Sequence, residues 1–233
     1  MKVNLFTTLY IDKNHLRQNE IETCILENIL NSEINRVFIL IDCKLIFNGN
    51  KSNTLKTIQL ELEKKNPKAI ALYSDIRPTF NTYFNHTKKY SDDINIIANS
   101  DIVFDYKSLI RLKKWNWKNH CLALSRYDIK NVANLYSGEL FERADSQDAW
   151  IVKGAFPNIN DAKFTLGVAG CDNVIAHYLS KHYNTINPSL DIKIYHLHLT
   201  NVRNYIENGK IDEIIRLDPP YKLMKPMCLP IEN

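Results

Sequence analysis

The sequence predicts an α/β protein with a mainly parallel central sheet flanked by helices. Three observations carry this reading. Short apolar runs alternate with longer amphipathic stretches through the first hundred residues. The runs are rich in Ile, Leu and Val, as strands buried on both faces are. Several of them close on small polar or acidic residues: Asp42, Ser74-Asp75 and Asn99-Ser100-Asp101. The order β-α-β-α-β-α-β favours parallel strands joined by right-handed crossovers.

The elements follow in order. Residues 3–11 form a first strand. Residues 18–30 form a helix, with Ile21, Cys24, Ile25 and Ile29 on one stripe. Residues 37–41 are a second strand. Residues 54–65 are a second helix, with Leu55, Ile58 and Leu62 inward and Asn66-Pro67 as its stop. Residues 69–73 are a third strand and 80–90 a third helix. The fourth strand starts at Ile94, breaks at Asn99-Ser100-Asp101 and resumes as an apolar run closed by Asp105. Beyond it lie strands at 121–124 and 149–152, the latter antiparallel, a helix at 173–181 and a late strand at 192–197. Residues 207–216 read as helical, and the Pro-rich tail beyond Asp218 as irregular.

Composition narrows the class. A chain of 233 residues with 45% hydrophobic content can build a sizeable core and is not disordered. A net charge of +4, with basic residues scattered, gives no footing for nucleic acid and only tolerates an anionic substrate. The five cysteines (Cys24, Cys43, Cys121, Cys171, Cys228) are odd in number and lack metal-ligand spacing. They read as reduced, mostly buried thiols of a reducing compartment. The N-terminal apolar run is too short for a signal peptide, and no stretch is long enough to span a membrane. The expectation is a cytoplasmic protein, with a membrane-bound acceptor still possible. No linker or repeat interrupts the chain, so residues 1–233 read as one domain.

Several polar clusters fall where strands end or helices start. A carboxylate such as Asp101, outside the carboxyl end of a strand, suits a hard cation, although a plain turn explains it equally well. Arg77 suits a phosphate, but alone an arginine lying over a loop is the simpler reading. Asp148, entering a strand, suits sugar hydroxyls or a surface turn. In Gly167-Val168-Ala169-Gly170-Cys171-Asp172-Asn173, Asp172 opens a helix. It is either an N-cap or a carboxylate able to accept a proton from an attacking hydroxyl. His196 and His198 alternate, so a strand puts both on one face, a pattern that favours metal or phosphate contact. Trp115 and Trp117 read as packing residues. Walker A, Gly-x-Gly-x-x-Gly and Gly-x-Ser-x-Gly motifs are all missing from the sequence.

The ordered set Ile97-Ala98-Asn99-Ser100-Asp101, Ala123-Leu124-Ser125-Arg126, Asp145-Ser146-Gln147-Asp148-Ala149-Trp150, Gly170-Cys171-Asp172-Asn173 and Asn187-Pro188-Ser189 resembles the GT-A fold glycosyltransferases. It is closest to a small group found in bacterial polysaccharide systems and in large DNA viruses. The resemblance covers about residues 1 to 205 and implies a Rossmann-like sheet. It divides the chain into a nucleotide-binding half (1–105), an acceptor half (106–205) and a C-terminal helix and tail (206–233). It implies an Asp-x-Asp-type metal motif at Asn99-Ser100-Asp101, with Asn99 in place of the first Asp. Asp101 and His198, with His196 as alternate, then hold Mn²⁺ or Mg²⁺. Thr8, Arg77, Asn99, Ser100 and Asp101 hold a nucleoside diphosphate sugar, UDP-linked by expectation. Asp172 is the catalytic base if the enzyme inverts and has a binding role if it retains configuration, and Asp148 is a second candidate for base or acceptor binding. The acceptor is a hydroxyl of a glycan or glycoprotein.

Two rivals remain. A sugar-nucleotide nucleotidyltransferase usually carries a Gly-rich basic loop after its first strand, and residues 7–14 contain no glycine. A non-catalytic carbohydrate-binding protein of the same fold draws support from Asn99.

Overall fold

The computed structural model describes residues 1–42, 66–74, 76–200 and 217–230. Its elements are β1 (Val3–Leu9), α1 (His15–Leu30), β2 (Arg36–Asp42), β3 (Ala69–Ser74), α2 (Phe80–Thr87), β4 (Ile94–Ala98), β5 (Ile102–Phe104), α3 (Tyr106–Lys114), β6 (His120–Leu124), β7 (Tyr127–Ile129), β8 (Gly138–Leu140), β9 (Ala149–Lys153), α4 (Cys171–Leu179), β10 (Asn184–Ile186) and β11 (Ile194–His196). Seven strands form the main sheet in the order β10-β6-β9-β4-β1-β2-β3. Within it β9 runs against both its neighbours, β4 and β6, and the other pairings are parallel. The expected mainly parallel sheet is therefore present, with its antiparallel strand at the expected place.

Both faces of this sheet are covered, which is why its strands read as unbroken apolar runs. Leu5, Ile39 and Ile96 point to one face and pack with Ile21, Ile25 and Ile29 of α1 and Leu109 and Leu112 of α3. Phe6, Phe38, Ile97 and Trp150 point to the other, against Phe80 and Phe84 of α2 and Ile175 and Leu179 of α4. The rings of Phe6 and Phe38 stack with centroids 4.5 Å apart. Each such fully buried side chain contributes roughly 1.5–3 kcal/mol. Asn95 breaks the apolar run of β4, and its amide is satisfied by the Tyr90 and Gly154 carbonyls and by Asn4.

A second, four-stranded sheet has the order β5-β11-β7-β8. The apolar run after Asp101 therefore does not continue β4; it leaves the main sheet and becomes β5. Asp105 closes it by capping α3, accepting from the Ser108 amide at 2.8 Å. The free edge of β5 meets α1. There Asn28 donates to the Ile102 carbonyl and accepts from the Phe104 amide, and Asn31 donates to the Phe104 carbonyl. An asparagine of α1 and the one that caps its C-terminus thus do the work of a neighbouring strand, satisfying backbone groups that burial would leave unpaired.

Several boundaries differ from the sequence expectation. Helix α1 starts at His15, three residues early, because the Asn14 side chain accepts from the Leu16 and Arg17 amides. This brings Arg17 into the helix. The helix expected over 80–90 ends at Thr87 and tightens into a 3₁₀ turn at Lys88–Tyr90. Helix α4 starts at Cys171, capped by Gly170 in the left-handed region (φ 82°), so Asp172 lies in the first turn and is not the cap. The late strand shortens to Ile194–His196. Strands β7, β8 and β10 had no sequence counterpart. The expected helices at 54–65 and 207–216, and Cys43, lie outside the described residues. Cys24, Cys121 and Cys171 are buried free thiols, and Cys228 is an exposed one. Trp117 is buried and donates to the Leu112 carbonyl, with Trp115 edge-on against it, a packing role as expected.

Candidate functional site

Most of the polar residues singled out from sequence gather at the end of the sheet where β4 ends and β9 begins. Register explains this. Ala98 pairs with Ala149 across the antiparallel β4/β9 ladder, and the Asn99 amide donates to the Asp148 carbonyl at 3.0 Å. A strand running backwards thus brings its start to the edge where its parallel neighbours finish. The side chains also meet: Asn99 Nδ2 donates to Asp148 Oδ1 at 2.9 Å.

Asp101 sits in the turn between β4 and β5 and is buried. The Leu197 amide donates to its carbonyl at 3.0 Å, which fixes the end of β11 beside the turn. His196 and His198 are thereby brought to Asp101, and one ligand atom from each of the three lies within 4.8 Å of the others. His198 is past the end of β11, so the two-residue alternation outlasts the strand that suggested it.

Asp101 Oδ2 is heavily engaged. His196 Nε2 lies 3.1 Å from it, and Arg17 of α1 forms a short ion pair with it. Oδ1 is buried and has no hydrogen-bond partner among the described residues. An unpartnered buried carboxylate oxygen is costly unless something binds it. With two imidazoles in reach, the donor set of one carboxylate oxygen and ring nitrogens fits a divalent transition ion better than it fits Ca²⁺.

The charges are strongly biased. Burial alone would raise the Asp101 carboxyl, but His196 and then Arg17 hold it far below the usual carboxylate range. Burial likewise works against a charged His196, yet Asp101 and Asp128 raise it to about 9. His196 Nδ1 lies 2.9 Å from Asp128 Oδ1, so a carboxylate stands on each side of the ring. As a metal ligand, His196 would give up its Nε2 proton and keep the Nδ1 proton on Asp128.

From Asp128 the network runs on. Arg126 Nε donates to Asp128 Oδ1 at 2.8 Å, and Arg126 Nη1 donates to Asp148 Oδ2 at 3.0 Å. Asp128 is lowered to about 2, burial being outweighed by His196 and Arg126. The guanidinium also lies over the Phe141 ring, 4.3 Å from its centroid. Asp172 accepts from the Gln147 amide at 3.4 Å and from the Cys171 thiol at 3.1 Å. Burial first, and the charge of Asp148 second, push Asp172 up to about 6. The Cys171 thiol is pushed well above its ordinary value by burial and then by Asp172.

The structure thus brings together Asn99, Asp101, Asp148, Asp172, His196 and His198. Ser100 is buried in the same turn. Two other candidates have structural engagements. Thr8 donates to the Leu40 carbonyl at 2.9 Å across β1 and β2. Arg77 donates to the Leu166 carbonyl at 2.9 Å, against the loop that leads to α4. Two of the sequence segments that carried the resemblance also meet, where Asn187 accepts from the Ser125 amide and donates to its hydroxyl. Sequence reasoning missed Arg17, Arg126 and Asp128. Arg126, just before β7, and Asp128 within it are two residues apart, a signal too short to read alone. Arg17 had no signal until the cap at Asn14 was known.

No family model matches the chain, and no curated protein matches its sequence. Solved structures do resemble it. S. aureus TarS, residues 1–349 in complex with UDP-GlcNAc, superposes with a TM-score of 0.52 at 12% identity, covering 87% of this chain and 60% of that one. The mannosyltransferase PcManGT from Pyrobaculum calidifontis, in complex with GDP-Man and Mn²⁺, gives a TM-score of 0.49 at 12% identity, over 88% of this chain and 58% of that one. The chain therefore spans about three-fifths of the TarS fragment it matches. Its sheet order, its helix layers and the TarS superposition together give this chain a GT-A-type, Rossmann-like fold.

Proposed function

We propose that the protein is a glycosyltransferase that moves a sugar from a nucleoside diphosphate donor to a hydroxyl of a glycan or glycoprotein. The observation that carries this reading is Asp101, clustered with His196 and His198 and holding a buried oxygen with no partner among the described residues, at the strand-end edge of a GT-A-type sheet. That edge is where open α/β sheets take their ligands. A divalent ion held by Asp101 and the His198 ring, Mn²⁺ by the nitrogen in its donor set with Mg²⁺ as the alternative, would supply positive charge to the departing diphosphate.

The chain's own residues supply the remaining steps. Asp172 has the raised proton affinity of a general base working near neutral pH. It takes the proton from the acceptor hydroxyl as that oxygen bonds to the anomeric carbon, while the anomeric C–O bond to the diphosphate breaks. Asp148, fixed by Asn99 and Arg126, supports that affinity through its charge and is the candidate to orient sugar hydroxyls. Thr8, Asn99, Ser100 and Arg77 are the further donor-binding candidates, and TarS bound to UDP-GlcNAc makes a uridine diphosphate donor the first to try.

Calorimetry with UDP- and GDP-sugars in the presence of Mn²⁺ tests the reading. Binding of at least one donor is expected, with donor turnover reduced by ~10²–10⁴ in Asp172→Asn. Absence of binding for every common nucleotide sugar would sink the proposal. Pyrophosphate release from a nucleoside triphosphate and a sugar phosphate would replace it with the nucleotidyltransferase reading.

A further inference from the structure

Arg17 has no part in the reaction as proposed, yet it is among the most constrained side chains of the site. It is buried on α1, with 4% exposure. Nη2 is paired to Asp101 Oδ2, and Nη1 donates to Glu20 Oε2 and to the Leu197 carbonyl, both at 2.9 Å. Glu20 is engaged elsewhere as well: Oε1 accepts the Leu199 and Thr200 amides, and Oε2 accepts the Thr200 hydroxyl. Asp128 is paired with Arg126, which it shares with Asp148. A guanidinium stays protonated in any folded protein, so Arg17 is a permanent cation.

A divalent ion approaching Asp101 therefore meets a poor electrostatic site. Its one carboxylate ligand among the described residues is already balanced by His196, whose proton leaves when the ring binds the ion, and by Arg17, whose charge stays. Asn99, where an Asp-x-Asp motif would add a second carboxylate, is neutral and donates to Asp148. At these short separations, in a buried setting, unit charges interact far more strongly than in water. Among the described residues no further uncommitted carboxylate adjoins Asp101, and a diphosphate brings the negative charge that the ion lacks.

We infer that Arg17 makes divalent-ion binding at Asp101 conditional on a diphosphate. Without the diphosphate, the guanidinium neutralises Asp101 and the ion stays in solution. With it, the phosphate charge would offset the opposition of the guanidinium to the ion, and the two ligands would bind as a pair. The diphosphate half of this inference rests on the glycosyltransferase reading, whereas the exclusion of the bare ion does not.

Titration of the full chain with Mn²⁺ alone, followed by loss of the free-ion electron paramagnetic resonance signal, tests the exclusion. Arg17→Met is expected to bind Mn²⁺ at least ~10-fold more tightly than wild type, since the opposing charge is gone. Arg17→Lys keeps the charge and should stay as weak as wild type, and Asp101→Asn serves as the blank. Thermal shift of the wild type supplies the second arm. Mn²⁺ with UDP or GDP should raise Tm beyond nucleotide alone, and Mn²⁺ alone should not.

Wild type holding bare Mn²⁺ as tightly as Arg17→Met overturns the inference. So does a Tm gain from Mn²⁺ alone equal to that with nucleotide, an outcome that can be read even when Arg17→Met fails to fold. If neither nucleotide binds in any arm, the glycosyltransferase reading falls, and the comparison in bare Mn²⁺ still decides the role of Arg17.

Discussion

Asp148 is held from two sides, by Asn99 and by Arg126, and its charge acts beyond both. Asp172 is raised to about 6 by burial and, second to that, by Asp148. Asp148→Asn removes the second cause and leaves the first. The Asp172 carboxyl should then titrate lower by ~1 pH unit while staying above an ordinary carboxyl. A carbon-13 titration of that carboxyl, or the acid limb of donor turnover against pH, reads the shift, and an unmoved midpoint would assign the whole effect to burial. At this scale the sequence was partly legible. Asp101, Asp148, Asp172 and the two histidines stood out because small polar residues interrupt apolar runs there. Arg17 and Arg126 did not, since a single arginine on an amphipathic helix or beside a short strand reads as solvated. What makes them internal is contact between elements far apart in sequence.

Helix α1 stands to lose two buried hydrogen bonds from one substitution. Asn28 bonds both the Ile102 carbonyl and the Phe104 amide. Asn28→Ala leaves both groups buried and unpaired, at a cost of about 2–4 kcal/mol. Urea denaturation should register that loss, and amide exchange at Phe104 should speed up selectively. A protein as stable as wild type would mean that water replaces Asn28 there. Strands covered on both faces, such as β2 and β4, were legible as apolar runs. The three-residue strands β7, β8 and β10 were not, because a pattern of period two needs more length to stand out. The asparagine pairing with β5 was equally hidden, since the same residues on a helix surface would simply face water.

The histidine between two carboxylates ties the small sheet to the turn after β4, so its titration bears on the stability of the whole molecule. His196 is raised to about 9 from an unfolded value near 6.5. A group raised in this way adds stability that is complete below ~pH 6.5 and fades as pH climbs through about 9, on the order of 3 kcal/mol at most. Asp128 and Asp101 are shifted the other way, so their contribution holds above ~pH 4 and is lost as pH falls through 2 and below. Stability should therefore decline between pH 6.5 and 9, and His196→Gln should flatten that decline. Guanidinium melts at a series of pH values would show it, and equal slopes for the two proteins would remove His196 as the cause. The sheet and its one reversed strand were readable from alternation. The second sheet was not, because its strands come from four separated stretches of chain.

The reversed strand sets a tolerance on the chemistry. Asn99 and Asp148 meet because the ladder between β4 and β9 counts residues correctly from Ile94 and Lys153 to Ala98 and Ala149. A slip of one residue would turn Trp150 out of its aromatic bed and carry Asp148 to the wrong side of the sheet. The hydrogen-bond ladder is thus a measuring device. Insertions or deletions inside either strand should abolish activity even where the protein still folds, while the same changes in the 131–137 turn should leave it intact.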